Sequence, residues 1–252
     1  QPRKGKGRCG LMRYRFGTDI GYKREENQDA VRCEYFGHNI LAVVCDGMGG
    51  ERAGKEASAI AIEEVFQRFS ADYKESLSDD DIRRLLISSV SAANSVIYTR
   101  ARMDFKNFGM GTTCVAAFIN DKTAFIANVG DSRAYLITDK KLLQITTDHN
   151  VASLLYEQGK ITEEEVDTHP QRHMLIRAVG VEKTVLTDTF LLDYDDKISL
   201  LLCSDGLSGY CSDDEIYNVI LNSPFDDVAD KLIELALSKG GRDNVTVAVI
   251  SD

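Results

Sequence analysis

An α+β fold is what this 252-residue sequence predicts. Two observations point there. Short strand-like segments dominate the chain, several of them continuous apolar runs. The clear helical patterns fall in pairs between runs of strands. That order is wrong for a regular alternating βα fold and suggests layered α+β packing.

The elements follow in chain order. Strand patterns cover Arg13–Ile20, Ala30–Tyr35 and Ile40–Cys45. A helix spans about Gly54 to Phe69, with Ala57, Ala61, Val65 and Phe69 on one face. Ser78 and Asp81 form a capping-box pattern for a second helix, whose apolar face is Ile82, Leu86, Val90, Ala93 and Ile97. Strands then read over Thr113–Ile119 and Thr123–Val129, with Asn120-Asp121 as the hairpin turn between them. Further strands are Ala134–Thr138 and Leu142–Ile145. Residues 147–182 are polar and weakly periodic, and read as an inserted lid-like segment. After it come strands Val185–Leu191 and Ile198–Cys203. A third helix is capped by Ser212 with Glu215. A fourth carries Ala229, Leu232, Ile233, Ala236 and Leu237 and stops at Gly240-Gly241. Val245–Ile250 closes the chain.

The sequence is 43% hydrophobic and 28% charged, enough to bury about 70–75% of its unfolded surface as one domain or two small ones. Its net charge of -10 argues against nucleic acid as a partner and repels anionic substrates. A phosphate-bearing substrate would need the local sign reversed, which bound metal ions would do. The six cysteines form no CxxC pair, so a zinc ribbon or thioredoxin-like site is not indicated. Cys45, Cys114 and Cys203 lie in or beside apolar runs, which suits buried thiols in a reducing compartment. No apolar run approaches the roughly 18 residues that span a membrane. Residues 1–12 are basic and lack an apolar core, so they are not a signal peptide. They read as a disordered segment, native or left over from expression, ahead of a single domain over 13–252.

Two apolar runs end alike. Leu41–Cys45 runs into Asp46-Gly47, and Leu200–Ser204 runs into Asp205-Gly206. A third run, Phe125–Gly130, delivers Asp131. Buried strands that each release an aspartate suggest a shared acidic centre for hard divalent cations. The alternative is three unrelated strand exits, since Asp and Gly are common turn residues. Gly49-x-x-x-x-Gly54-Lys55 matches most of a P-loop, but Glu56 stands where a metal-binding Ser or Thr is required. Arg24 could fork a phosphate or be a surface charge. Asp29 could serve the site or cap a strand. The turns bearing Asp131 and Asp243 could hold local Asp–Arg pairs. His38, His149, His169 and His173 have no metal-binding spacing and read as surface or satisfied core residues. No serine has a GxSxG setting, so a serine hydrolase is not indicated.

Together, these pieces resemble the metal-dependent Ser/Thr protein phosphatases of the PPM (type 2C) family, with the bacterial branch the nearest match. The matching blocks are Gly21–Asp29, Val44–Gly50, Gly111–Thr113, Asn128–Arg133, Thr147–Asn150, Ala178–Gly180, Cys203–Leu207 and Arg242–Thr246, in that order. The resemblance covers about residues 17–250. It implies a four-layer αββα sandwich of two central antiparallel sheets, with 147–182 as a flap beside the cleft that tunes substrate choice. It also implies two Mn²⁺ or Mg²⁺ ions, with a possible third. Asp46 would bridge the first two. Asp205 and Asp243 would complete one shell, and the Gly47 carbonyl would serve the other. Asp131 would help hold the third ion. Arg24 would bind the substrate phosphate, and Asp29 would orient metal-bound water from behind the ligands.

The implied activity is hydrolysis of phosphoserine and phosphothreonine in proteins by a hydroxide shared between two cations about 3.5–4 Å apart. Expected partners are phosphorylated proteins, a Ser/Thr kinase and its targets, with the enzyme a cytoplasmic monomer. Met48 stands where eukaryotic members often carry a histidine, so no general acid is assigned. Gln28 replaces a common carboxylate, which removes a charge near the second ion. The alternative is a weakly active or inactive phosphoprotein-binding module on the same fold.

Overall fold

The computed structural model describes residues 12–107, 109–194 and 197–252, so the expectation for 1–12 lies almost wholly outside the described residues. Two antiparallel sheets form the centre. One contains β1 (Arg13–Asp19), β11 (Val245–Ser251), β10 (Ser199–Cys203), β7 (Arg133–Ile137) and β8 (Leu142–Gln144), in that spatial order. The other contains β2 (Asp29–Phe36), β3 (Asn39–Met48), β5 (Cys114–Ile119), β6 (Thr123–Val129) and β9 (Asp188–Asp193), with β4 (Gly111–Thr112) paired to the end of β3.

Side-chain alternation sets the layers. Ile40, Ala42 and Val44 of β3 meet Leu200, Leu202, Ala248 and Ile250 between the sheets. Leu41, Val43 and Cys45 point the other way, onto α1 (Gly50–Asp72) and α2 (Asp79–Met103). Leu201 and Cys203 of β10 face α6 (Asp213–Asn222) and α7 (Val228–Ser238). A strand buried on both faces must be apolar throughout, which is why β3 and β10 read as unbroken runs. The result is the four-layer αββα sandwich that the family resemblance implied. Ser78 and Ser212 cap α2 and α6 as their sequences suggest.

Several boundaries differ from expectation. β3 continues to Met48 because Gly47 and Met48 pair with Thr112 and Gly111. The strand expected from Thr113 begins at Cys114, because Thr113 bonds Asp46 through both its backbone N and its Oγ1. α1 begins at Gly50, after Gly49 at φ 109°, so Gly54-Lys55 sits inside a helix and forms no phosphate loop. The strand expected at Val185–Leu191 begins only at Asp188. Residues 147–182 hold two short helices, α3 (Val151–Glu157), capped by Asn150, and α4 (Glu163–Val166). The four-residue α5 (Asp205–Ser208) follows β10 directly.

Candidate metal centre

Both sheets deliver carboxylates to one open cleft of about 1280 Å³, lined by Arg24, Asp46, Gly47, Asp131, Asp205 and Asp243 among others. Asp46 stands near the end of β3, and the β2–β3 register sets Asp29 directly opposite it. Asp131 lies in the turn from β6 to β7, Asp205 opens α5, and Asp243 precedes β11. Six of the seven site residues read from the sequence therefore line one cavity. The seventh, Asp29, is buried behind it.

A fixed polar frame holds these groups. The Asp46 carbonyl accepts from Thr113 N (2.8 Å) and Thr112 Oγ1 (2.9 Å), and Asp46 N donates to Thr113 Oγ1 (2.9 Å). Thr113 Oγ1 also bonds Ser132 Oγ at 2.6 Å. Ser204 Oγ donates to Asp29 Oδ2 at 2.7 Å and accepts from Thr246 N at 3.0 Å. A Cβ at Gly206 would lie 1.8 Å from the Asn244 carbonyl oxygen, so glycine is needed where α5 meets the β11 entry. Asn244 Nδ2 donates to the carbonyls of Ile20 and Glu26, clamping the loop that carries Arg24. Arg24 Nη2 bonds Asp243 Oδ2 at 2.7 Å.

The electrostatics are those of crowded acids. Burial pushes the Asp29 carboxyl up to about 7, against the pull of the Ser204 hydroxyl. Burial, then the charge of Asp29 and of Asp205, Asp131 and Asp243, holds Asp46 well above the usual carboxylate range. Asp131 is raised by burial and then by Asp205. The hydrogen bond that Arg24 donates to Asp243 raises the pKa of the guanidinium. Asp29 Oδ1 is buried with no hydrogen-bond partner among the described residues. An all-oxygen set of mutually repelling carboxylates, one with an unmet acceptor, fits a hard divalent cation. Among the described residues no three such side chains close into a ready-made cage. Any ion here would take few carboxylates, with water or backbone oxygen completing its shell.

Several residues at or near the site were given no site role by the sequence. His173, read as surface or core, places Nδ1 3.2 Å from Asp205 Oδ2. Its ring stacks over Tyr210. His149 is a satisfied core residue: Nδ1 accepts from Gly130 N at 3.0 Å, so Nε2 carries the proton and donates a hydrogen bond to Asp188 Oδ2 at 3.0 Å. Arg177 Nη1 donates to Asp188 Oδ1 at 2.6 Å. Arg133 pairs with the buried Asp148 at 2.8 Å, and Asp131 is not that arginine's partner. Threonine and serine hydroxyls could have been flagged only by their place in the motif blocks.

Known proteins share the sequence pattern and the fold of this chain. The sequence pattern of the family described as Protein phosphatase 2C matches residues 17–245. Serine/threonine phosphatase stp of Listeria monocytogenes serotype 4b is 37% identical over 246 residues, 95% of each chain. The crystal structure of the serine/threonine phosphatase Stp1 from Staphylococcus aureus superposes with a TM-score of 0.90 at 36% identity, covering 100% of this chain and 99% of that one. The catalytic domain of PstP, solved in complex with two manganese ions, gives a TM-score of 0.82 at 34% identity over 95% and 97% of the two chains.

Proposed function

Because this chain belongs to the protein phosphatase 2C family, we propose that it hydrolyses phosphoserine and phosphothreonine monoesters in proteins. The observation that carries the reading is the convergence of Asp46, Asp131, Asp205 and Asp243 on one cleft beside Arg24. Divalent cations, Mn²⁺ or Mg²⁺, would supply the positive charge that a phosphate needs there and bring the pKa of water toward neutrality. The manganese-bound PstP domain supports that choice of ion.

The chain's own groups then take distinct roles. Asp46 would contact two ions, Asp205 and Asp243 one of them, and the Gly47 carbonyl the other. Asp131 would share an accessory ion with Asp205. Few carboxylates per ion suits Mg²⁺ and Mn²⁺, which keep much of their water. Arg24 would turn its guanidinium from Asp243 to the phosphate. Asp29, ionised and held by Ser204, would orient water from behind the ligands. Among the described residues every cysteine is buried, so none offers a thiol nucleophile to the cleft, consistent with direct attack by water. Phosphorylated proteins in the cytoplasm, a Ser/Thr kinase among them, are the proposed partners, and a monomer suffices. Among the described residues, no helix is long and apolar enough to cross a membrane.

The test is hydrolysis of a phosphothreonine peptide with Mn²⁺, with and without chelator, by the native protein and by Asp205→Ala. Loss of turnover on chelation and in the variant is expected. Activity that survives both would sink the proposal.

A further inference from the structure

Part of the charged lining of the cleft is paired internally. Arg24 holds Asp243 at 2.7 Å, and Lys55 holds Glu26 at 3.0 Å. The apolar lining is not. Met48, Met174 and Leu175 all face the cavity, with Met174 56% exposed. Beside them Val181 is 40% exposed. A Cβ placed on Gly111 would come within 2.9 Å of both Met48 Cε and Val181 Cγ2, so both side chains flank the bare Gly111 backbone. Met48 is two residues beyond Asp46 on the same strand.

This apolar shelf stands on rigid backbone. Val179 exchanges two hydrogen bonds with Thr112, at 3.0 and 2.8 Å. Asn94, almost fully buried on α2, accepts from Gly180 N at 2.7 Å and donates to the carbonyls of Glu182 and Lys183 at 3.0 and 3.2 Å. Gly180 at φ 91° packs against Ile97, where a side chain would be 2.1 Å from Cγ2. The turn that presents Val181 is thus pinned on both sides. Exposed apolar groups on fixed backbone, continuous with a polar reaction site, gain most from a ligand that covers them.

We infer that Met48 and Val181 form a specificity subsite that takes an apolar side chain neighbouring the phosphoserine or phosphothreonine of the substrate polypeptide. The inference rests on the phosphoprotein reading above. The phosphate would be drawn to the cations that Asp46 would help hold, and one neighbouring residue would be laid over Met48 and Val181 on either side of Gly111. Leu, Met, Val or Ile fits such a surface. Asp or Lys in its place would surrender hydration to an apolar wall with no partner.

The experiment compares phosphothreonine peptides that differ only in a Leu or an Asp at each position flanking the phosphoresidue, with Mn²⁺ present, in native protein, Val181→Ser and Val181→Ile. On one flank Leu should be preferred by about tenfold in kcat/KM, mostly through KM. Val181→Ser should cut that preference to about threefold or less, while Val181→Ile keeps it. Turnover of p-nitrophenyl phosphate should be unchanged in both variants. Peptide turnover with no flank preference, or equal losses on peptide and aryl phosphate in Val181→Ser, overturns the subsite alone. Aryl phosphate turnover with no phosphopeptide hydrolysed overturns the phosphoprotein reading and the subsite with it.

Discussion

Asp29 and Asp46 stand directly opposite each other in the β2–β3 ladder, so two carboxylates share one face of a buried strand pair. Like charges set across from one another destabilise a sheet. Here one is steadied by Ser204 and the other faces the cleft. The arrangement costs stability unless cations occupy the cleft.

The Asp29→Asn protein should therefore melt higher than the native protein when chelator is present, by about 2–4 °C near pH 8. The sign follows from the raised carboxyl. Its folded pKa of about 7 exceeds its unfolded value. The native protein thus loses stability as pH rises from about 4 through about 7, and the advantage of asparagine should grow over that window. With Mn²⁺ the order should reverse. A lower melting temperature for the variant under chelation would contradict the account.

Thr113→Val keeps the shape of the residue but removes the oxygen that accepts from Asp46 N and bonds Ser132. Leaving a buried amide and hydroxyl unpartnered should cost about 1–3 kcal/mol in urea unfolding. Turnover should fall by up to about a hundredfold as Asp46 shifts. Full activity in a destabilised variant would show that the hydroxyl serves folding only.

Arg24→Lys preserves charge and loses the planar fork. KM for a phosphopeptide should rise about tenfold, with a smaller change in kcat. Steady-state kinetics at saturating metal would read this directly. An unchanged KM would leave the Arg24–Asp243 contact as that arginine's whole role.

The His149 imidazole is held below its usual pKa by burial, with the Asp188 hydrogen bond pulling the other way. Protonating Nδ1 would set a donor against the Gly130 amide. Stability from this group is thus present above about pH 6.5 and lost as pH falls through the lowered folded value. The drop in melting temperature between about pH 7.5 and about pH 5.5 should be smaller in His149→Asn than in the native protein. Equal drops would exclude His149 as the source.

Much of the molecule is written locally. The unbroken apolar runs before Asp46 and Asp205 exist because β3 and β10 are buried on both faces, and the glycines after them permit close backbone approach. The caps at Ser78 and Ser212 and the turn at Asn120 are likewise short-range chemistry. These features determined the layered fold, and the order of the motif blocks determined the family and the acidic centre.

Tertiary structure decided the rest. Ser204 meets Asp29 across 175 residues of chain, and Asn94 meets Gly180 across 86. No periodicity or spacing encodes such contacts, because they depend on which strands are neighbours and which helix covers them. The same holds for His173 against Asp205, for the helices within residues 147–182, and for the approach of Met48 and Val181 to Gly111. Local sequence set where each carboxylate leaves its strand. Sheet order and register set what each one faces.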